Sequence, residues 1–233
     1  MPEDRNLAAM RAFYERGEEE ARLADMVPVP EPELIRLSAP ADEPAIAGVL
    51  TTAFGDEHGP VVARLVDALR ASPAWDPALS FVAESAGQLT GYVLLTRNLL
   101  DAPRRLVDVL VLSPLAVRPG HQGRGVGSRL MRHALAAAEA EARPEPLVFL
   151  EGSPDFYPRF GFGPGRDLGF RRPSLRIPEP AFMVRPLAGY EPWMTGTLVY
   201  ADPFWRLDCV GLRDPSALAA PMPLAQGRRT VQL

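Results

Sequence analysis

The chain reads as an α/β fold with a mixed sheet, and three observations carry that reading. An apolar run over residues 106–117 feeds a glycine-rich turn and then a long Ala/Leu/Arg segment, the order strand, loop, helix. A second apolar run, 147–151, follows that helix, and a strand reached through a helical crossover lies parallel to the strand before it. Upstream, the runs 79–84 and 89–96 flank Ala86-Gly87-Gln88, a hairpin signal and therefore an antiparallel pair.

Taken in order, residues 6–24 place Leu7, Met10, Phe13, Tyr14 and Leu23 at helical spacing around an acidic centre, Glu18-Glu19-Glu20. Prolines 28, 30 and 32 then favour a stiff extended connector, so the N-terminal helix is an appendage that docks on the body or on another subunit. A short strand is expected at 34–37 and a helix at 43–54, with Pro44 suited to its first turn. Gly55-Asp56-Glu57-His58-Gly59 reads as a break, and 60–70 as a second helix. After the hairpin, Ser113-Pro114 interrupts the 106–117 strand; proline cannot donate to a sheet ladder, so it marks an edge, a bulge or a place where neighbouring strands part. The next helix runs from Gly125 to about Ala142, with Val126, Leu130, Ala134 and Ala138 on one stripe. Two more strands are expected at 181–187 and 194–201, and the proline-rich end carries no clear pattern. The expected organisation is 1–32 as helical extension and connector, 33–204 as the domain, and 205–233 as a tail.

Composition narrows the partners. At 233 residues, 47% hydrophobic and 23% charged, the chain can bury a sizeable core. A net charge of −4 offers no global field for nucleic acid or an anionic membrane, so neither is expected as a partner, and any anion site must be local. Cys209 is the single cysteine, and His58, His121 and His133 share no metal-ligand spacing, so no metal is expected. The N-terminus lacks a basic stretch followed by an apolar one, which makes a cytoplasmic location the expectation.

The local anion site is the glycine turn. Backbone N–H groups at the start of a helix present positive charge to phosphates, and Arg118, Arg124, Arg129 and Arg132 cluster around it, Arg124 being the favoured contact. A nucleoside-triphosphate loop would need a lysine followed by Ser or Thr, and the chain has no lysine. A dinucleotide loop would space its glycines G-x-G-x-x-G, with an acidic residue about 20 positions on. Here the glycines are 123, 125 and 127, and the later region holds Arg143 and Pro144.

What remains is Gln122-Gly123-Arg124-Gly125-Val126-Gly127, preceded by Leu115-Ala116-Val117-Arg118-Pro119. This resembles the acetyl-coenzyme A motif of the GCN5-related N-acetyltransferases. A second segment, Phe156-Tyr157-Pro158-Arg159-Phe160-Gly161-Phe162, resembles that family's closing helix, and with the later Ala181-Phe182-Met183 it is similar to the YhbS-like branch. The resemblance spans about residues 34–204. It implies a mixed, mostly antiparallel central sheet whose parallel central strands splay, flanked by helices, with acetyl-CoA as cofactor. It also implies that Gln122, Gly123, Arg124, Gly125, Val126, Gly127 and Ser128 hold the diphosphate while Leu115, Ala116 and Val117 lie along pantetheine.

The implied reaction is acetyl transfer to a primary amine of a small molecule or protein by direct attack on the thioester; the alternative is a non-catalytic acyl-CoA-binding regulatory module. An alkyl ammonium has a pKa of about 10.4, so a base or a desolvating pocket must help, while a phenol of pKa about 10 can protonate a departing thiolate. Tyr157 holds the proton-donor position of the motif. Glu151, at the C-terminal end of its strand, is the expected base, with Glu84 or a water chain as alternatives. Asp108 lies about 20 Å before Leu115 along the strand, too far to serve. Acceptor choice is expected to involve Asp56, Glu57 and His58 and the C-terminal strands; assembly into a homodimer is left open.

Overall fold

The period of the apolar residues sorts the chain into helix, sheet and helix stacked in three layers. The computed structural model describes residues 33–140 and 143–210. Its elements are β1 (Leu34–Leu37), α1 (Glu43–Arg70), β2 (Ser80–Ser85), β3 (Gln88–Asp101), β4 (Leu106–Val117), α2 (Val126–Ala138), β5 (Leu147–Glu151), β6 (Gly163–Pro164), β7 (Phe170–Arg171), β8 (Phe182–Pro186), β9 (Gly196–Val199) and α3 (Asp202–Arg206). The helix expected over residues 6–24, the proline connector and the tail from 211 lie outside the described residues. Of the segment set apart from 205, residues 205–210 are described, and Val210 is buried in the core.

The strand order is β1-β2-β3-β4-β5-β8-β6, with β9 on the far end of β3 and β7 beside it. Pairing is antiparallel except for β4 with β5 and β7 with β9. One face carries α1: Ile46, Val49, Leu50, Leu65, Val66 and Leu69 meet Val109, Val111, Phe149 and Phe182. The other carries α2: Val126, Leu130, Met131, Ala134 and Leu135 meet Leu110, Leu112, Val148 and Leu150. Adjacent strand residues thus alternate between layers, as a two-residue period requires.

α1 is two helical stretches meeting at a kink where the break was expected to begin, but the open turn expected over residues 55–59 is reduced to one residue. Only Gly55 leaves helical geometry, at φ 75° and ψ 177°, and it carries the whole bend because no Cβ obstructs a positive φ. Asp56, Glu57 and His58 are consequently exposed helical residues, not a loop. α2 begins at Val126, with Gly125 as its left-handed cap, and ends earlier than expected at Ala138.

Ser113 and Pro114 form a bulge. Leu95 pairs with Leu112 and Val93 with Leu115, so two β4 residues stand opposite Leu94 alone. The extra residue shifts the alternation by one. Before it, even-numbered residues face α2; after it, Leu115 and Val117 do, and Ala116 joins the α1 layer. The Ser113–Pro114 peptide is cis.

Candidate active site

Past the bulge the two parallel strands separate. Only Leu110 with Val148 and Val111 with Phe149 join β4 to β5, so β4 from Leu112 to Val117 has no strand on that side among the described residues. The backbone of Leu115, Ala116 and Val117 therefore borders a gap, as expected from Ser113-Pro114.

At the end of β4 the chain folds back through one tight turn, where His121 N–H donates to the Arg118 carbonyl at 2.9 Å and the Gln122 side chain donates to the Val117 carbonyl at 3.0 Å. Among the described residues, nothing accepts from the N–H groups of Gly123, Arg124, Gly125, Val126, Gly127 or Ser128, and no side chain caps α2. The first satisfied donor is Arg129 N–H, 3.0 Å from the Gly125 carbonyl. Six open donors at the positive end of a helix dipole form a cradle that could hold an anion such as a diphosphate.

The arginine cluster does not converge on that cradle. Arg118 turns back to donate to the Leu89 carbonyl at 2.8 Å. Arg129 is ion-paired with Glu33, just before β1, and also donates to the Arg124 carbonyl. Arg132 is exposed on the next turn of α2. Arg124 forms no side-chain hydrogen bond or ion pair among the described residues, so of the four it is the one still placed to meet an anion. Arg118 and Arg129 are drawn to fixed acceptors nearby, interactions that sequence proximity does not reveal.

The second motif lies against the first. The Phe156 ring approaches within 4.0 Å of where a Cβ on Gly127 would stand. Tyr157 opens a single 3-10 turn, Tyr157–Phe160, and its ring packs edge-on to Phe156 at 5.0 Å and to Phe162 at 6.1 Å. It covers the backbone of Gly152 so closely that a Cβ there would fall 2.0 Å from the ring. Tyr157 is buried in the α2 layer.

Glu151 closes β5, and by alternation with Leu147 and Phe149 it belongs to the α1 layer, on the other face of the sheet from Tyr157. The residue is exposed as a whole, while its carboxyl group lies against the buried Tyr200 and is partly desolvated. That desolvation pushes its pKa up to about 7, against a hydrogen bond from the Tyr200 hydroxyl at 2.6 Å that pulls it down. Glu84, the alternative base, is paired instead with Arg36 at 2.8 Å, at the β1 edge of the sheet.

Tyr200 is the residue the sequence reading missed. It was expected only as part of a strand, and nothing in its neighbourhood forms a motif with Glu151, 49 positions earlier. A tyrosine beside Pro203, Phe204 and Trp205, in a segment otherwise full of turns, is the one signal that could have drawn notice.

These features agree with what the chain resembles. A family model described as an acetyltransferase (GNAT) domain matches residues 34–165. The uncharacterized N-acetyltransferase YjhQ of Escherichia coli (strain K12) is 34% identical over 167 residues, which cover 70% of this chain and 89% of the relative. Among solved structures, the GNAT family N-acetyltransferase YhbS from Escherichia coli in complex with CoA has a TM-score of 0.65 at 28% identity, covering 77% of this chain and 94% of the other. A GNAT family acetyltransferase from Brucella melitensis in complex with acetyl-CoA has a TM-score of 0.58 at 28% identity, covering 74% and 98%. The chain belongs to the GNAT acetyltransferase family.

Proposed function

We propose that this acetyl-CoA-dependent N-acetyltransferase acts on a primary amine, with Glu151 as the base and Tyr157 as the proton donor. Acetyl-CoA supplies an acetyl group already activated as a thioester. The residues present fit it: six open N–H donors from Gly123 to Ser128 for the diphosphate, and a strand edge at Leu115, Ala116 and Val117 for the pantetheine arm. Arg124 adds a charge-assisted contact.

The observation that carries the assignment of roles is the placement of the two side chains on opposite faces of one gap. The diphosphate cradle and Tyr157 share the α2 layer, whereas Glu151 faces the α1 layer. Tyr157 would therefore protonate the thiolate leaving on the cofactor's side, and Glu151 would take the proton of an amine entering from the other face. A carboxylate with a pKa of about 7 is half ionised at neutral pH and well matched to taking a proton there. Backbone N–H groups along the parted stretch of β4 supply donors to the carbonyl oxygen.

Among the described residues no helix is long and apolar enough to cross a membrane. The cytoplasm is the compartment assigned in this reading, and the β1 edge, unpaired among the described residues and with Leu34 and Leu37 exposed, supports pairing of two copies. Small-molecule and protein amines both remain within it.

The test is thiol release from acetyl-CoA across a panel of primary amines, with mass detection of the acetylated product. Turnover is expected to fall about 100-fold in Tyr157→Phe while CoA affinity by calorimetry is retained. Undiminished turnover in that variant removes Tyr157 from the chemistry, and tight CoA binding with no product from any amine removes the primary-amine acceptor.

A further inference from the structure

We propose that Tyr200 is a positioning residue that holds Glu151 for proton abstraction, and that the C-terminal segment around it is a working wall of the active site. This rests on the reading of Glu151 as the base. Tyr200 lies well outside the stretch 34–165 that matches the family model, on the short run between β9 and α3.

The geometry is specific. The Tyr200 hydroxyl donates to Glu151 Oε1 at 2.6 Å, so this oxygen is occupied, while Oε2 accepts no hydrogen bond among the described residues. One bond to one oxygen fixes the carboxylate's rotation and leaves the second oxygen to receive a proton.

Tyr200 is itself held at every point where it could move. Its carbonyl accepts from the Trp205 indole N–H at 2.8 Å, and the next N–H, of Ala201, donates to Asn98 Oδ1 at 2.8 Å. Asn98 is buried on β3, its amide nitrogen donating to the Thr96 carbonyl at 2.9 Å and hydroxyl at 3.1 Å. The Tyr200 ring packs on Phe204 at 4.7 Å and against Trp205 at 6.2 Å. A chain of fixed groups thus runs from β3 through Asn98 and Ala201 to Tyr200 and Glu151. A surface tyrosine that met a carboxylate by chance would need no such anchoring.

The other titratable or charged groups acting here are few. Cys209, in the turn after α3, is close enough for Glu151 to help raise its thiol, which desolvation first and Asp208 next push up to about 11. Asp208 is paired with Arg176 at 2.7 Å, and Arg176 and Arg64 act on Cys209 from the other sign. Burial and the adjacent carboxylate hold the Tyr200 phenol well above its ordinary range, so it stays a donor throughout the working pH range. Within this set Tyr200 is the group hydrogen-bonded to the base, and it favours the charged carboxylate.

The experiment is the pH dependence of kcat/KM for acetyl transfer in the full chain, compared across Tyr200→Phe, Glu151→Gln and a protein carrying 3-fluorotyrosine at position 200. Loss of the hydroxyl leaves desolvation of Glu151 unopposed, so the acidic limb is expected to move up by about one pH unit in Tyr200→Phe, with rates near pH 9 close to the parent's. Fluorination makes the phenol a stronger donor without removing it, and is expected to move the limb down. A limb that stays in place in both altered proteins, with a uniform loss or none, overturns the proposal. Should Tyr200→Phe fail to fold, the direction of the fluorotyrosine shift decides alone. If Glu151→Gln keeps the parent's rate and limb, the base assignment itself falls; if it abolishes the limb while both Tyr200 proteins leave it unmoved, only the positioning role falls.

Discussion

The two ends of β5 each carry a glutamate, and the molecule treats them oppositely. Glu145, two residues before the strand, has a side chain only 1% exposed and is met by two arginines, Arg97 and Arg143, each at 3.3 Å. The same guanidinium groups reach Asp76 at 2.7 and 3.0 Å, so two cations face two carboxylates in one network that ties α1's exit, β3 and the entry to β5 together. Glu151, at the other end, is met by a tyrosine hydroxyl and by no arginine among the described residues. A fixed cation turns a buried carboxylate into a structural tie; without one, the same side chain stays poised near neutrality and can exchange a proton. The network is not fully satisfied, since Glu145 Oε2 and Arg143 Nε find no hydrogen-bond partner.

The contrast breaks most sharply under substitution. Glu151→Gln is expected to lower kcat/KM about a thousandfold at pH 8 with the fold intact by circular dichroism, because it removes the proposed proton acceptor and keeps the shape. Arg143→Met is expected to do the reverse. Leaving Glu145 and Asp76 to share Arg97 costs about 3 kcal/mol, a fall in Tm on the order of 10 °C by calorimetry, with kcat/KM within about threefold of the parent at a temperature where both are folded. A loss of activity in Arg143→Met as deep as in Glu151→Gln would erase the distinction.

Smaller and more telling is the pH dependence of stability. Glu151 has a folded-state pKa of about 7 against an ordinary 4.5, so between those values the native protein binds the extra proton and stability falls as pH rises. Replacing Glu151 by Gln relieves that cost above pH 7. After allowance for its solvent exposure, the gain is about 1 kcal/mol, or about 3 °C in Tm at pH 8.5, vanishing below the ordinary carboxylate range. Asp76 has the opposite sign. Burial alone raises its pKa, but Arg143, the Ala78 N–H and Arg97 together outweigh that and hold it below the ordinary carboxylate range. Its contribution is present above that range and lost as acid protonates it, so Asp76→Asn is expected to destabilise at pH 7 and progressively less toward pH 3. Parallel pH curves for Glu151→Gln and Asp76→Asn would mean that the two ends are alike after all.

Much of this was legible in the residues. The strands 34–37, 106–117 and 147–151 were read with the bounds they have, because apolar runs between turn signals leave little freedom. Pro114 marked an edge, a bulge or a parting, since a missing N–H is a local fact, and the family resemblance implied the parting of β4 and β5. The break after Phe54 was legible from Gly55, but its length was overestimated, because glycine and charge suggest a turn by composition whereas one Gly55 dihedral sufficed. The arginine partners, Tyr200's bond to Glu151 and the network at Glu145 were not readable. Each joins residues brought together only by the closed sheet: Arg129 with Glu33, Arg97 with Asp76 and Glu145, Tyr200 with Glu151. β6 and β7, of two residues each, are too short to carry a period.

The single extra residue at Ser113–Pro114 sets a rule for how this region can vary. Exchanging side chains at 115 or 117 reshapes the lining and leaves each position in its layer. Deleting either Ser113 or Pro114 would restore strict alternation with Leu115 and Val117 still facing α2, whereas drawing the strand straight with both residues kept would turn Ala116 to that layer in place of its two larger neighbours. The surplus residue is absorbed where it stands, so a change of length confined to the bulge alters the outline of the strand's edge and spares the phase of everything beyond it.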